Sequence, residues 1–234
     1  MSLPSGLSSY EFQRELTRSR DLPHYFHLRL LKDDQGLPLL APENNALHPI
    51  DLAGFFGAPG PIEVEVGCGK GTFMAAYCER HPELPFLALE KEAEIAYLAA
   101  GRVSRRPQIS HARVVLGDAM IFFRDFLPVN CVKAFHVYFP DPWPKKRHHD
   151  HRLFNARFIE AVHRTLRPGG RLHFATDHLP YFEEVKAAFA ADRRFEEIPA
   201  FEPSEEERTD FELYYRKHAV IGRYSVTRRD PAGE

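Results

Sequence analysis

From Pro61 onward the hydrophobic positions fall into a regular succession of short runs. IEVEV (Ile62–Val66) alternates with the period of a strand, and TFMAAYCERH (Thr72–His81) carries its apolar residues at helical spacing. FLAL (Phe86–Leu89) predicts a short buried strand, and EAEIAYLAAGRV (Glu92–Val103) a second helix. ARVVL (Ala112–Leu116) follows as a third strand, AMIFFRDFL (Ala119–Leu127) as a short helix and VKAFHVYF (Val132–Phe139) as a fourth strand. FNARFIEAVHRTL (Phe154–Leu166) has helical spacing and stops at RPGG, a tight turn into RLHFAT (Arg171–Thr176). After Ala188, RRFEEIP and YYRKHAVIGRYSVTR predict further strands closing the same sheet. Strands that alternate with helices predict an α/β, doubly wound architecture, a mostly parallel central sheet with helices on both faces. Residues 1–60 are rich in proline and hold no period, so they are expected to be an irregular N-terminal extension to one domain over 61–234.

Composition narrows the function classes. A chain of 234 residues is long enough for a three-layer core. No apolar run approaches the ~20 residues of a membrane span, so no membrane partner is expected. MSLPSGLSSYEFQRELTRSR has no apolar core of a secretory signal. Cys68, Cys78 and Cys131 are odd in number and lack a CxxC spacing, which argues for free thiols in a reducing cytoplasm over a disulfide framework or a cysteine-rich zinc site. The formal net charge of −2 speaks against a wholly basic nucleic-acid binder, but charge is unevenly placed. Gly101 to Gly117 holds four arginines and no acid, Lys145, Lys146 and Arg147 are contiguous, and the acids gather in FEPSEEER (Phe201–Arg208). A basic face on a near-neutral protein is an electrostatic footprint for a polyanion.

In a doubly wound sheet ligands bind beyond the carboxyl ends of the strands. The first such turn reads EVGCGKG, Glu65 to Gly71. It is no phosphate-binding P-loop, because Lys70 is followed by Gly71, and no dinucleotide fingerprint, because Thr72 stands where the last glycine belongs. What remains is E-x-G-x-G-x-G, the form associated with S-adenosylmethionine (SAM) methyltransferases of the Rossmann-like class. Gly67, Gly69 and Gly71 let backbone approach a ligand, and Glu65 suits an ammonium or sulfonium better than a pyrophosphate. Glu90 ends the second strand, where a carboxylate accepts from ribose hydroxyls, and Asp118 follows the third, within reach of an adenine amino group. Singly, Glu90 and Asp118 each read more readily as a solvated turn acid or a helix cap. Three at successive strand ends predict a SAM site.

The fourth strand runs into FPDPWPKKRHH, which only distantly resembles the [DNS]-P-P-[YFW] loop of SAM-dependent amino-methyltransferases, lacking the second proline. Together with EVGCGKG, LALE, GDA, RPGGRLHFATD and TDFE (Thr209–Glu212), in this order from about Glu65 to Gly222, it resembles the bacterial tRNA (guanine-N7-)-methyltransferases. The resemblance implies that Glu65, Glu90 and Asp118 line the SAM site, that Asp141 belongs to the active site and touches the cofactor side, and that Lys145, Asp177, Thr209, Asp210, Phe211 and Glu212 bind substrate. It implies methyl transfer from SAM to N7 of a guanosine in tRNA, in the variable loop. Two departures stand out: residues 1–60 lack the arginine-rich start associated with the family, and no glycine soon follows Glu212.

The residues suit that chemistry. Guanine N7 is a proton-free acceptor, so its alkylation needs alignment and exclusion of water more than a strong base. A carboxylate aimed at the guanine N–H edge would stabilise the charge that develops, a role for Asp141 with Asp177 as a second acceptor. Trp143 fits either stacking on an extruded base or anchoring of the loop. Lys145, Lys146 and Arg147, with Arg152 nearby, suit phosphates. His148, His149 and His151 are too compact to surround one ion, and no metal is expected. The expected partner is tRNA, with no obligatory protein partner, as a monomer or homodimer. The alternatives are a SAM-dependent methyltransferase of another substrate, which the basic loop disfavours, and a non-catalytic RNA-binding module, which the full set of acids disfavours.

Overall fold

The computed structural model describes residues 14–18, 22, 24–30, 50–57 and 59–230. In chain order its elements are β1 (Arg14–Arg18), β2 (Tyr25–Leu30), α1 (Leu52–Phe56), β3 (Ile62–Val66), α2 (Thr72–Arg80), β4 (Phe86–Glu90), α3 (Ala93–Ser104), β5 (Ala112–Leu116), α4 (Ala119–Phe126) and β6 (Val132–Tyr138). A 3-10 helix (Lys146–His151) then precedes α5 (Ala156–Thr165), β7 (Leu166–Thr176), α6 (Leu179–Ala190) and β8 (Phe195–Ile198). A second 3-10 helix (Glu205–Glu207), α7 (Asp210–Tyr215) and β9 (Gly222–Arg228) complete it.

Among the described residues nine strands form one sheet in the order β1-β2-β5-β4-β3-β6-β7-β9-β8. The run from β2 to β7 is parallel throughout, and the flanking pairs β1–β2, β7–β9 and β9–β8 are antiparallel. This is the doubly wound α/β sheet expected from the alternation of strands and helices. The winding reverses between β3 and β6, and the crevice that opens at their carboxyl ends is where such sheets bind ligands.

Helices on both faces explain why the apolar strands read as nearly continuous. All five positions of β3 and of β4 are buried. One face packs Val64, Leu87, Phe122, Phe135 and Phe158 against α4 and α5; the other packs Phe73, Met74, Ala96 and Ala99 of α2 and α3 against Ala88 and Val114. The alternation in IEVEV therefore separates two interiors, and it carries Glu63 and Glu65 inward with exposures of only 2% each. Buried carboxylates must be compensated or functional, and the two meet different fates.

Three expectations are corrected. Residues 14–18 and 25–30, within the segment expected to be irregular, are strands; β2 lies parallel to β5 with Tyr25 opposite Val114, a pairing across a long stretch of chain that no local period reveals. Most of the remaining N-terminal extension, including residues 1–13 and 31–49, lies outside the described residues. RPGG is not only a turn: β7 begins at Leu166, opposite Val132, and its register slips before Arg171 meets Ala134, with Gly169 at φ 71°. Tyr214 and Tyr215, expected in a strand, end α7. Tertiary contacts override their strand preference: the Thr209 side chain caps the helix by accepting from the Glu212 N–H (3.0 Å), and buried Glu212 pairs with Arg208 and Arg223.

The strand-to-helix turn after β3 shows how tightly this layer is built. Gly71 caps α2 with φ +73°, and a Cβ there would stand 3.1 Å from Ala99 Cβ and 2.8 Å from Met74 Cε. Gly71→Ala combines left-handed strain with overpacking and should lower unfolding free energy by about 2–4 kcal/mol. Urea denaturation checks this, as a lower midpoint at unchanged slope.

Candidate active site

The turn after β3 is held by a carboxylate from the neighbouring strand. Glu90, the last residue of β4, accepts the Gly69 N–H at 3.0 Å through one oxygen and the N–H groups of Lys91 (2.8 Å) and Glu92 (3.1 Å) through the other. Gly67 and Gly69 both sit at positive φ (74° and 53°), so the turn lays bare backbone against the crevice. At the end of β3, Glu65 is fully buried, and its Oε2 has no hydrogen-bond partner among the described residues. Burial, with the Glu90 charge beside it, pushes the Glu65 carboxyl well above the usual carboxylate range. An orphaned buried carboxylate next to a glycine cradle calls for a cationic ligand group, which is what the ammonium of SAM's methionine moiety offers.

Two adjoining cavities follow from these elements. One, of about 280 Å³, is lined by Glu65, Gly67, Gly69 and Phe73 on the turn side and by Thr209, Asp210 and Phe211 on the other. The second, of about 430 Å³, is lined by Gly67, Glu90, Asp118, Asp141 and Trp143 among others. Gly67, Ile95, Tyr138 and Phe139 line both. The tertiary structure thus brings Glu65, Glu90, Asp118 and Asp141, from four different strand ends, around one crevice at the switch point. Asp118 also caps α4, accepting the Ile121 N–H at 3.0 Å. These residues fit SAM: Glu65 for the ammonium, Glu90 for the ribose hydroxyls and Asp118 for the adenine edge.

Asp141 rides on a loop that two strained residues define. Phe139 and Trp143 both have positive φ, 51° and 42°, without being glycine. Such conformations cost roughly 1–3 kcal/mol each and persist only where the surroundings impose them. At Phe139 the backbone N–H bonds the Ala175 carbonyl (2.8 Å), and at Trp143 the imposing group is Arg152. Only 5% exposed, it donates to the Pro142 carbonyl (2.8 Å) and the Trp143 carbonyl (3.5 Å), pairs with Glu184 and lies 4.8 Å from the Tyr181 ring centroid. This corrects the reading of Arg152 as a phosphate contact, since its guanidinium is consumed in fastening the loop. Trp143 packs on His151 (4.9 Å between centroids) and His148 (5.8 Å) while still lining the second cavity. Asp141 itself is exposed, with Lys91 Nζ 3.5 Å away.

Other expected site residues lie outside both cavities. Gly71 serves packing, as above. Lys145 is exposed at the start of the 3-10 helix, beside Lys146 and Arg147. Asp177 is half-buried in the bend after β7. Glu212 is buried in its pairs with Arg208 and Arg223, so it sets the position of α7, whose Asp210 and Phe211 reach the cavity. Among the described residues no cluster of His, Cys, Asp and Glu is arranged to hold a metal ion.

Sequence reasoning did not single out the crevice walls Phe73, Ile95, Tyr138 and Phe139, because wall residues are ordinary apolar positions until the fold opens a cavity beside them. It also missed the polar chain beneath. His136 Nε2 donates to Glu63 (3.0 Å), and its Nδ1 is hydrogen-bonded with the Tyr138 hydroxyl (2.9 Å). Burial pushes the Glu63 carboxyl up, but His136, the Tyr77 hydroxyl and Lys133 outweigh it and hold it down to about 2. Glu63 and His136 were detectable as polar residues at inward positions of central strands.

A doubly wound sheet with a glycine cradle and carboxylates at successive strand ends defines a Rossmann-like SAM-dependent methyltransferase. Solved structures agree on the fold: a 16S rRNA (adenine(1408)-N(1))-methyltransferase from Catenulisporales acidiphilia superposes with TM-score 0.54 at 16% identity, covering 81% of this chain and 95% of that one. The aminoglycoside resistance methyltransferase NpmB1 does so with TM-score 0.54 at 13% identity, over 92% and 100%. Residues 59–216 match the family model described as "Putative methyltransferase". The tRNA (guanine-N(7)-)-methyltransferase of Nitrosomonas europaea is 32% identical over 160 residues (68% of each chain), and that of Alkalilimnicola ehrlichii is 34% identical over 191 residues, 75% of this chain and 80% of the relative. That of Thermotoga maritima is 33% identical over 178 residues, which span 76% of this chain but only 56% of the relative. The chain belongs to the tRNA (guanine-N(7)-)-methyltransferase family.

Two measurements probe the site's construction. Arg152→Met keeps the apolar stem but removes the loop's anchor, and should cost about 1–3 kcal/mol of stability, against no more than about 0.5 for a solvated arginine; thermal or urea unfolding decides. For Glu65, the raised folded pKa means that its contribution to stability is present below the ordinary glutamate range, near pH 4.5, and is lost as pH rises through the folded value. Glu65→Gln removes that loss. Without ligand, its melting temperature should gain on wild type progressively between pH 5 and pH 8, while SAM affinity measured by calorimetry falls by about tenfold or more.

Proposed function

We propose that the protein transfers a methyl group from SAM to N7 of a guanosine in tRNA. The observation that carries this reading is the Asp141 carboxylate, held on a strained and anchored loop at the rim of the crevice that Glu90 and Asp118 line. When bound, SAM supplies an electrophilic methyl group on a sulfonium. Glu65 pairs with its ammonium, Glu90 accepts from its ribose while keeping the glycine turn in place, and Asp118 receives the adenine edge.

The guanine enters between Asp141 and the wall formed by Tyr138 and Phe139. Asp141 accepts from the purine's N–H edge, and this interaction strengthens as the ring acquires positive charge, so it acts on the transition state more than on the ground state. The ion pair with Lys91 is no obstacle: both side chains are more than 60% exposed, and such pairs contribute little. Lys145, Lys146 and Arg147 take backbone phosphates. Thr209, Asp210 and Phe211 close the opposite side, with Glu212 fixing their position, and Asp177 offers a further acceptor to substrate. The membership in the tRNA-modifying family and the basic run beside the crevice support RNA over a small-molecule substrate.

The decisive experiment is single-turnover methylation of tRNA, with nucleoside digestion to identify N7-methylguanosine. Asp141→Asn retains shape and one acceptor but removes the charge, and should slow methyl transfer by ~10²-fold or more while leaving tRNA binding and thermal stability nearly unchanged. A rate within about threefold of wild type sinks the catalytic role of Asp141; absence of methylated guanosine with the wild-type protein sinks the function.

A further inference from the structure

The aromatic wall does not stop at the crevice. Phe139 and Phe211, which both line the smaller cavity, are 5.2 Å apart between ring centroids. Phe211 in turn stacks on Tyr215 at 4.3 Å and 26°, and Tyr215 meets Tyr214 edge-on at 4.8 Å. Four rings thus run from the cavity to the surface. The outermost is open: Tyr214 is 68% exposed, and Phe211 44%. Large aromatic side chains left this accessible at the mouth of a ligand site mark a contact surface.

The support under this face is rigid. Thr209 caps α7, buried Glu212 ties it to Arg208 and Arg223, and the preceding 3-10 helix carries a capping box between Ser204 and Glu207. Three of the acids around it are matched, Glu202 by Arg223, Glu205 by Arg208 and Arg216, and Glu206 by Arg80, while Asp210, in the first turn of α7, lines the smaller cavity. Past the C-terminal end of α7, exposed Lys217 pairs with no carboxylate among the described residues, with His218 following it. An exposed ring flanked by an unmatched cation is the combination that binds unpaired nucleotides, the ring taking a base face and the cation a phosphate.

We propose that Tyr214, backed by Tyr215 and Phe211, is a stacking platform for an unpaired nucleotide adjacent to the methylated guanosine, with Lys217 on its phosphate. This rests on the proposed function, because it takes the cavity to receive the target base of an RNA. It extends that reading by assigning the outer face of α7 to RNA that does not react.

The test uses the full chain, bulk tRNA and SAM. Tyr214→Ala should weaken tRNA binding by about tenfold, leave SAM affinity unchanged and keep the slope of log K against log salt, since a stacking contact releases no counterions. Tyr214→Phe should stay within about twofold of wild type. Tyr214→Leu keeps apolar area without a ring and should fall with the alanine variant. Lys217→Ala should flatten the salt slope by about 0.7–0.9. If Tyr214→Ala binds tRNA within twofold of wild type, or if Leu restores binding as well as Phe, the platform is refuted. If the wild type self-associates in sedimentation and Tyr214→Ala abolishes this with tRNA affinity unchanged, the face is a protein interface and the proposal also falls. Should wild-type protein methylate no tRNA guanosine, it is the functional reading that has failed, and the binding series still reports on the platform.

Discussion

Glu90 joins the end of β4 to the turn after β3 through three backbone N–H groups. Each of those donors would otherwise be unpaired at a strand end facing the crevice, and one carboxylate satisfies all of them. Because the bond to Gly69 ties two adjacent parallel strands at their carboxyl ends, it fixes the glycine cradle relative to the rest of the sheet. The cavities, the placement of Glu65 and the approach to Asp118 inherit their geometry from that junction. A carboxylate that builds the backbone it borders can also present acceptor capacity to a ligand, since ionised oxygens have more lone pairs than these bonds use.

The same face of β3 carries two buried acids with opposite fates. Glu63 is compensated by His136, Tyr77 and Lys133 and is held as a carboxylate far into the acid range. Glu65, two residues on, lacks such partners and has its ionisation opposed by burial and by Glu90. A pair of environments that push like groups apart marks the difference between a structural and a functional residue. Glu63 is tied through His136 to Tyr138; Glu65 stays an uncompensated buried carboxyl beside the glycine turn. The strain at Trp143 has a similar logic, with Arg152, itself held by Glu184 and Tyr181, supplying the contacts that keep an otherwise costly loop in one direction.

Much of this was legible in the chain. Period-two and helical spacing placed β3 to β6 and α2 to α5 within about two residues, and the strand ends then put Glu65, Glu90, Asp118 and Asp141 on one edge of a parallel sheet; β7 was read without its first residues, Leu166–Gly170, and α6 was not read at all. That inference works because strand direction and connection handedness are fixed by local chirality, so residues at the carboxyl ends must lie together. The glycine turn was equally readable, because only glycine adopts those backbone angles cheaply.

What the sequence could not determine were the outcomes of competition between distant parts. The β2–β5 pairing depends on an edge left free by a chain segment far away. Arg152 and Lys145 look alike as neighbouring cations, yet one is buried by Tyr181 and Glu184 and the other faces water. Tyr214 and Tyr215 have strand preference, but Glu212 binds two arginines and holds them in a helix. Local propensity is worth tenths of a kcal/mol per residue, whereas breaking a buried ion pair or emptying a filled interior costs several times more. The sequence by itself determined which residues would meet at the strand ends; the tertiary structure decided which charges remain free to act.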